Sequence, residues 1–444
     1  MFIAIEGFIV LFSIFATTLL IIGPDVNVNY SIFGGKIFIV FTIYIVCLYY
    51  NDIYDFNYTD SILKLSIRLF QGLGQAALFL AVVYFIFPDL IIAKNVIFIS
   101  IFTIIVSIGL WRYFYTSVVK NGMFNQKILI IGDSSLADTI TREIKEKKDC
   151  GYTVFRKLHI TGREHMEQTP ECLSPDICEI AKTHDVEKII VALKEKRGTF
   201  PTRQLLKCRI NGIDVIDGNS FYESLSGKLL IDQIDPGWFI FSKGFTKSKL
   251  LRALKRLIDI IVSLCSLILL FPLIICVSIL IKIDSKGSII FSQERVGEER
   301  KPYHMHKFRS MVANAEEETG PVWAEDGDQR ITRVGNFLRK TRMDEIPQLW
   351  NVLKGEMSLV GPRPEREFFV KELERSIPYY PERFSVKPGI TGWAQIKYHY
   401  ASSVQDSVEK LKYDLFYIKN LSIFLDLIIL IRTLKIILFQ RGAR

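Results

Sequence analysis

The stretch RITRVGNFLRKTRMDEIPQLWNVLKGEMSLVGPRPE, Arg330 to Glu365, places the neighbouring carboxylates Asp344 and Glu345 behind a run of bases. This run contains no acid, and its cations are Arg330, Arg333, Arg339, Lys340 and Arg342. A proline is tolerated in the first turn of a helix and a glycine often follows the last turn, so Pro347 and Gly355 predict a helix that starts at Asp344. A helix start beside several cations is typical of a phosphate site, and a solvated charged face is the alternative.

Two adjacent acids can divide the work in a phosphate site. Joining a nucleotide diphosphate to a phosphorylated acceptor gathers about four negative charges, which cations and a divalent metal must neutralise. One carboxylate then attacks phosphorus, while the other orients the substrate or holds magnesium. The alternative is that Asp344 only caps a helix and Glu345 is a favourable acid in its first turn. The pair of residues alone leaves both interpretations open.

Further cations extend the predicted phosphate site. Arg363 lies in the loop GPRP, where two prolines restrict the backbone and favour a bidentate grip on phosphate, with a structural turn as the alternative. Lys307 and Arg309 are expected to line the same site, unless one of them snorkels at a membrane interface. His304 and His306 alternate along a predicted strand, but without further ligands nearby we expect no transition metal there.

The N-terminal quarter of the chain is its most apolar part. Hydrophobic residues make up 49% of the 444 residues and the mean hydropathy is +0.24, which points away from an ordinary soluble enzyme. Four apolar stretches approach the roughly 20 residues of a spanning helix. They are Phe8–Ile22, Lys36–Tyr50, Gly72–Ile92 and Val96–Leu110. We predict a four-helix transmembrane bundle over residues 1–115, without a cleaved signal peptide.

Basic residues orient this bundle and suggest its partners. Lys64 and Arg68 follow the second stretch, and Arg112, Lys120 and Lys127 follow the fourth, so the positive-inside rule puts both ends of the bundle in the cytoplasm. The seven cysteines show no CxxC spacing, which agrees with a reducing compartment. The net charge of +9 lies beside apolar segments, so an anionic membrane surface and phosphate substrates are expected as partners, and nucleic acid is not.

Residues 125–220 predict a Rossmann-like α/β domain. The segment QKILIIGDSSLADTITREI reads as a strand, a turn and a helix, and VEKIIVAL and GIDVIDG read as further strands. Only Gly132 matches a dinucleotide-binding fingerprint, because Ser134 stands at the second glycine position and Ala137 at the third. We expect a structural or regulatory module, with a bound dinucleotide as the alternative.

Residues 249–285, after a linker over residues 221–248, combine a basic start with a long apolar stretch. Bases at Lys249, Arg252, Lys255 and Arg256 favour an anionic membrane surface. Pro272 interrupts the apolar stretch and favours a bend. A full crossing would also separate the rest of the chain from cytoplasmic nucleotide-activated substrates. We therefore expect a re-entrant helix with a break at Pro272, and a kinked fifth transmembrane helix is the alternative.

The motifs KFRSM, RITRVGNFLRKTRMDEIPQLWNVLKGEMSLVGPRPE, KPGITGWAQ and YDLFYIKNLSIFLDLIILIRTLKIIL together resemble the bacterial sugar transferase family, over about Lys249 to Arg444. The resemblance is to polyprenyl-phosphate hexose-1-phosphate transferases of the long form, in the branch associated with exopolysaccharide loci. It implies transfer of a hexose-1-phosphate from a UDP-sugar to undecaprenyl phosphate, with release of UMP, at the cytoplasmic face of the bacterial inner membrane. The resemblance also implies that Asp344 is a nucleophile, that Glu345 is its Mg²⁺-linked partner and that Asp414 lies near the active site.

The predicted fold is thus a multi-domain membrane protein: a four-helix bundle, a Rossmann-like middle domain and a small, mainly α catalytic domain over residues 286–444 with its re-entrant helix. Charges interrupt the apolar segment Leu421–Phe439, which suits an interfacial helix. The resemblance makes a homodimer reasonable. Two other functions remain open, a non-catalytic scaffold of a polysaccharide assembly complex and an NAD-dependent nucleotide-sugar dehydratase. The dehydratase predicts an intact glycine fingerprint and a Tyr-x-x-x-Lys pair, and the middle domain has neither.

Overall fold

The computed structural model describes residues 2–22, 30–51, 62–90, 94–120, 125–132, 134–147, 150–158, 176–193, 200–233, 237, 242, 244–312, 330–398 and 403–439. The chain divides into two compact units, Met1–Gly218 and Asn219–Arg444, and each is described by itself. Positions 91 and 92, at the end of the third predicted apolar stretch, lie outside the described residues.

Four long helices open the first unit, as the apolar stretches predicted, except that the third helix ends at Ile86 and Pro88–Leu90 of its predicted stretch form a 3₁₀ turn. They are α1 Phe2–Ile22, α2 Tyr30–Tyr50, α3 Ile62–Ile86 and α4 Lys94–Lys120. Their shared core buries Ile14, Tyr44 and Leu73, whereas Leu20 and Phe85 are 84% and 87% exposed. An apolar outer surface of this kind suits contact with lipid. Within the described residues, Arg68–Ile86 in α3 is long and apolar enough to cross a membrane, and α1, α2 and α4 contain shorter apolar segments.

A buried ion pair joins the first and last helices of this bundle. Arg112 Nε and Nη2 donate to the two carboxylate oxygens of Glu6 at 2.5 and 2.9 Å, and Glu6 is fully buried. Removing one partner of such a pair would leave an uncompensated buried charge, which is much costlier than keeping the pair. The pair therefore fixes the N-terminal part of α1 against the end of α4.

The first unit ends in a four-stranded parallel sheet of order β2-β1-β3-β4. Its elements are β1 Gln126–Ile131, α5 Ser135–Glu146, β2 Tyr152–Leu158, α6 Ile177–Thr183, β3 Lys188–Val191, α7 Thr202–Ile210 and β4 Asp214–Asp217. At the β1–α5 turn, Gly132 has φ +125° and a Cβ there would lie 2.2 Å from the Ala192 carbonyl oxygen. Ser134 donates to the same carbonyl and caps α5. The serine thus has a structural role at the position where a dinucleotide site needs a glycine.

Part of the segment predicted to be a linker packs into the second unit. The helix α8 Gly218–Ser226 is followed by Leu229 and Ile231, which lie in the hydrophobic core. Glu223 forms an ion pair with Lys419 at 2.5 Å, and the Trp393 indole donates to the Gly227 carbonyl at 2.8 Å. These contacts join residues far apart in the chain, which is why the local pattern did not assign the segment to the predicted catalytic domain.

The helix α9, Lys249–Asp284, contains Pro272 and does not end there. The expected break is therefore not present as a helix boundary. A proline removes one intrahelical hydrogen bond, and in apolar surroundings the remaining backbone groups gain by staying paired within the helix. One face of α9 buries Ser263, Val277 and Ile281, while the opposite face exposes apolar side chains such as Ile268.

The rest of the second unit is mainly helical, as predicted. It contains the antiparallel hairpin β5 Ile290–Val296 and β6 Pro302–Phe308, the helices α10 Arg333–Lys340, α11 Gln348–Lys354, α12 Glu367–Ser376, α13 Trp393–Lys397, α14 Val404–Asn420 and α15 Ile423–Phe439, and the parallel pair β7 Ser358–Val360 and β8 Gly389–Thr391. One core cluster joins α9, β6, α11, β7 and α14. This core holds the elements that carry the predicted site.

Candidate active site

The sequence predicted that the two acids would lie in the first turn of a helix. They lie instead in a short turn ahead of α11. Met343–Glu345 form a 3₁₀ turn, and α11 begins at Gln348 with Pro347 as its N-cap. Arg342 precedes the turn with φ 56°, a left-handed conformation that redirects the chain and separates the acids from the preceding helix α10. The predicted end is confirmed, since Gly355 caps α11 with φ +90°.

Two cations from other elements reach the acids. Lys307 Nζ, from β6, lies 3.0 Å from Glu345 Oε1 and 3.9 Å from Asp344 Oδ2. Arg363 Nη2, in the loop after β7, lies 3.5 Å from the same Glu345 oxygen. The side chains of Asp344 and Glu345 are each 11% exposed, whereas that of Arg363 is 40% exposed. The structure thus brings four of the predicted residues together and leaves Arg363 accessible to a ligand.

The surroundings shift the pKa values of the two acids in opposite directions. Burial raises the pKa of Asp344; the Lys307 cation opposes this shift and the neighbouring Glu345 carboxylate adds to it. Burial also acts to raise the pKa of Glu345, but Lys307, Arg363 and Arg342 outweigh it and hold that pKa at about 2. Adjacent acids whose pKa values are driven apart suit two different roles. Glu345 is the permanent anion, and Asp344 is the more easily protonated acid.

The remaining predicted cations occupy different places. Arg339 lowers the pKa of Asp344 and donates through Nε to Ser310 Oγ at 2.8 Å. Arg342 acts on Glu345 as described above. The Arg330 carbonyl accepts a hydrogen bond from the Val312 N–H at 2.9 Å. Arg330 is not among the main groups that shift the pKa of Asp344 or of Glu345.

Arg309 lies at the end of α9 and not beside the two acids. Its Nη2 donates to the carbonyl and hydroxyl oxygens of Ser285 at 2.7 and 2.9 Å, and the side chain is 7% exposed. The last carbonyls of a helix have no intrahelical partner, and a buried arginine satisfies them. Gly287, beside Arg309 Nη1, has φ +128°, a backbone conformation that favours glycine. No pattern in the sequence distinguished Arg309 from Lys307.

Asp414 supports the site through a residue that the sequence analysis missed. Its Oδ2 accepts from Arg383 Nη2 at 3.1 Å, and both side chains are buried. The same Nη2 donates to the Arg363 carbonyl at 2.9 Å, and Arg383 Nη1 donates to the Tyr380 hydroxyl at 2.6 Å. Arg383 therefore anchors the backbone of the loop that carries Arg363. No spacing in the sequence marks this role, since Arg363 and Asp414 lie 20 and 31 residues away.

A small pocket, partly open to solvent, lies beside Arg363. Apart from Arg363 and Arg383, its walls consist of Val296, Gly297, Pro362, Pro364, Phe384, Val386 and Pro388. Prolines and a phenylalanine give these walls a stiff, apolar character. Arg363 is thus shared between the pocket and the pair of acids.

The donors at the site fit magnesium better than a transition metal. Among the described residues, no group of three or more histidine, cysteine, aspartate or glutamate side chains could enclose an ion, and His304 and His306 form no such group. Mg²⁺ is commonly held by one or two carboxylates together with water and substrate phosphates, which Asp344 and Glu345 can provide. The residues therefore fit an ion that arrives with a phosphate substrate.

Comparison with known proteins is consistent with this chemistry. The family model described as "Bacterial sugar transferase" matches residues 250–440. An Aeromonas hydrophila protein named UDP-N-acetylgalactosamine-undecaprenyl-phosphate N-acetylgalactosaminephosphotransferase is 41% identical over 242 residues, 54% of this chain and 56% of its own length. A Bacillus subtilis protein, provisionally named as an undecaprenyl-phosphate N-acetylgalactosaminyl 1-phosphate transferase, is 48% identical over 131 residues, 30% of this chain and 73% of that protein.

A third relative carries a different sugar in its name. The UDP-glucose:undecaprenyl-phosphate glucose-1-phosphate transferase of Escherichia coli is 41% identical over 184 residues, 41% of this chain and 39% of that protein. The chain therefore spans about half the length of the Aeromonas relative and less of the Escherichia one. The reaction type in these names is constant, whereas the sugar varies.

Proposed function

Because the chain belongs to the bacterial sugar transferase family, we propose that it transfers a sugar-1-phosphate from a UDP-sugar to undecaprenyl phosphate and releases UMP. The observation that carries this proposal is the pair Asp344 and Glu345, buried together with opposite pKa shifts and flanked by Lys307 and Arg363. We place the reaction at the cytoplasmic membrane, as the first membrane step in the synthesis of an exopolysaccharide.

The site supports a two-step displacement at phosphorus. The ionised Asp344 carboxylate attacks the phosphorus that bears the sugar; a carboxylate–phosphorus bond forms, and the bond to the bridging oxygen breaks as UMP leaves with the electron pair. An oxygen of the lipid phosphate then attacks the same phosphorus and releases Asp344 as a carboxylate. Lys307 favours the ionised nucleophile, and Arg363 neutralises the leaving phosphate. Glu345 would hold magnesium, which supplies further neutralisation of the diphosphate.

The pocket beside Arg363 suits the nucleoside end of the donor. Its enclosed volume is only about 10 Å³ and it is partly open to solvent, so it offers an apolar surface to one face of a ring and does not enclose a nucleotide sugar. Because Arg363 contacts Glu345 and also lines the pocket, a donor with its phosphates at Arg363 can direct its sugar phosphate toward Asp344 and its base toward the apolar walls.

Hydrogen bonds at both ends of α9 support a re-entrant path through one leaflet. Near its start, Lys255 donates to the Val360 carbonyl and Asp259 accepts from the Leu359 N–H. At its end, Asp284 accepts from the Val334 N–H at 3.2 Å. A helix that crosses the roughly 30 Å hydrocarbon core puts its ends on opposite sides of the membrane. Both ends of α9 here contact the same compact unit, which supports a path on which α9 enters and leaves the membrane on the side of that unit.

Cysteine labelling tests this topology. In a variant without native cysteines, Lys249→Cys and Lys286→Cys introduce exposed residues just inside and just beyond the two ends of α9. We expect a membrane-impermeant maleimide to label both positions in inside-out vesicles and neither in intact spheroplasts. Labelling of Lys286→Cys from the outside, with Lys249→Cys labelled from the inside, would establish a crossing helix and overturn the re-entrant path.

Replacing Lys307 by methionine is expected to move the acid limb of the kcat/KM profile to higher pH. Lys307 lowers the pKa of Asp344, and the nucleophile must be ionised in the free enzyme. Without the cation the pKa of Asp344 rises further above its ordinary value, so a higher pH is needed to ionise it. The measurement is UMP release against pH for the wild type, Lys307→Met and the control Lys371→Met, an exposed lysine of α12. An acid limb that does not move in Lys307→Met would contradict the assignment.

The reaction itself is tested with the purified full chain, magnesium and candidate donors, beginning with UDP-N-acetylgalactosamine and UDP-glucose. Release of UMP together with a lipid-linked sugar diphosphate would support the transferase. If no donor releases UMP in the presence of undecaprenyl phosphate, the scaffold becomes the better function. Loss of water from a nucleotide sugar with NAD present, to give a keto-deoxy sugar nucleotide, would favour the dehydratase.

A further inference from the structure

A fully buried asparagine joins the strand that carries Lys307 to the helix that follows the two acids. Asn351 lies in α11 and is 0% exposed. Its Oδ1 accepts from the His306 N–H at 3.0 Å, and its Nδ2 donates to the His304 carbonyl at 2.7 Å. Nδ2 also donates to Glu356 Oε2 at 2.7 Å, which fixes the orientation of the amide. None of these contacts involves Asp344 or Glu345.

The side-chain amide of Asn351 takes the place of a neighbouring strand. The strand β6 pairs with β5 along one edge. His304 and His306 are alternate residues of β6, so the carbonyl of one and the N–H of the other point to the same edge. A parallel strand on that edge would pair the His304 carbonyl and the His306 N–H with the N–H and C=O of one of its residues. Asn351 offers the same donor and acceptor through its side chain. The contact therefore specifies which residues of β6 lie opposite α11.

This register decides where Lys307 points. Lys307 shares one face of β6 with Tyr303 and Met305, which are buried in the core. A slip of one residue would move Lys307 to the other face, and a smaller shift would lengthen its 3.0 Å contact with Glu345. Since Asn351 lies six positions after Glu345 in the sequence, it ties the acids and their cation into one rigid unit.

We propose that Asn351 is a positioning residue of the transferase, which acts on the reaction by holding Lys307 against the two acids. This inference rests on the proposed function for its kinetic test. Asparagine suits the role because its amide supplies both a donor and an acceptor, whereas aspartate at neutral pH supplies acceptors only and would face the Glu356 carboxylate.

A double-mutant cycle separates positioning from general structural support. We expect Asn351→Ala to lower kcat/KM up to about 100-fold, the usual scale for a misplaced catalytic group. In a Lys307→Met background the same substitution is expected to change kcat/KM by less than about twofold, because Lys307 is no longer there to be misplaced. If kcat/KM of the double variant fell by the product of the two single-variant factors, the proposal would be overturned. The control Asn420→Ala removes an asparagine that bridges Glu223 and the Phe416 carbonyl; it is expected to act equally in both backgrounds.

A structure of the variant gives a second result that does not need activity. In Asn351→Ala, or in Asn351→Ser if the alanine variant does not fold, the Lys307 Nζ to Glu345 Oε1 distance is expected to exceed hydrogen-bond range. If that contact stays near 3.0 Å, the proposal is overturned even where activity falls. If the wild type releases UMP from no UDP-sugar, the proposed function fails, and the structural result alone then decides whether Asn351 holds Lys307.

Discussion

Asp344→Asn is expected to abolish UMP release, with a fall in kcat of roughly 10⁴-fold or more. Asparagine keeps the shape of the side chain and its place beside Lys307, but its amide cannot form the carboxylate–phosphorus bond. Burst kinetics with a UDP-sugar and magnesium, without the lipid acceptor, provide the measurement. The wild type should release about one UMP per active site rapidly, because the first displacement does not need the lipid. The variant should release none.

The control for this experiment is Asp232→Asn, which neutralises an aspartate that is 63% exposed and lies 3.6 Å from Lys412 in the same compact unit. It should show the wild-type burst. A burst of normal size in Asp344→Asn would remove this residue from the chemical step. Release that requires the lipid even in the wild type would retain the transferase but replace the covalent intermediate with direct displacement.

The parts of the fold that the sequence predicted correctly depend on local patterns. Each apolar run in the N-terminal quarter forms one of the helices α1 to α4, and the alternation of apolar strands and amphipathic helices gives the parallel sheet. Pro272 shows the limit of a local rule. A proline disfavours a helix, but apolar surroundings disfavour unpaired backbone groups more strongly, so α9 continues through it.

The residues of the candidate site also fall into two groups, those that local sequence patterns predicted and those that only the folded structure reveals. Asp344 and Glu345 are adjacent in the sequence, and their shared turn could be located from the bases before them and from Gly355 after them. Arg383 and Asn351 act through partners that lie between 20 and 47 residues away, and nothing in their spacing marks them. Arg309 carries the same charge as Lys307 two positions earlier, yet it points to the end of α9. Only the packing of β6 against its neighbours decides which cation faces the acids.

Arg383→Met is expected to lower the free energy of unfolding by about 3–5 kcal/mol. Asp414 would keep its buried position without the guanidinium that lies 3.1 Å away. Burial already raises the pKa of Asp414 to about 6 against the opposing effect of Arg383, and loss of the cation raises it further. In the folded variant Asp414 then stays protonated at pH values above the ordinary aspartate pKa, where the unfolded chain has already released that proton. The free energy of unfolding of the variant should therefore fall as pH rises toward neutrality. That of the wild type should fall less over the same pH range.

The double variant Arg383→Met/Asp414→Leu is the matched control, measured by unfolding in detergent near pH 5 and pH 8. Replacing both charges with apolar groups leaves no unpaired carboxylate, so most of the lost stability should return. Catalysis should not return with it, because Arg383 Nη2 also donates to the carbonyl of Arg363 and neither methionine nor leucine can hold that loop. A double variant as unstable as the single one would mean that the ion pair itself stabilises the fold. Recovered stability with full transferase activity would show that the Arg363 loop keeps its position without Arg383.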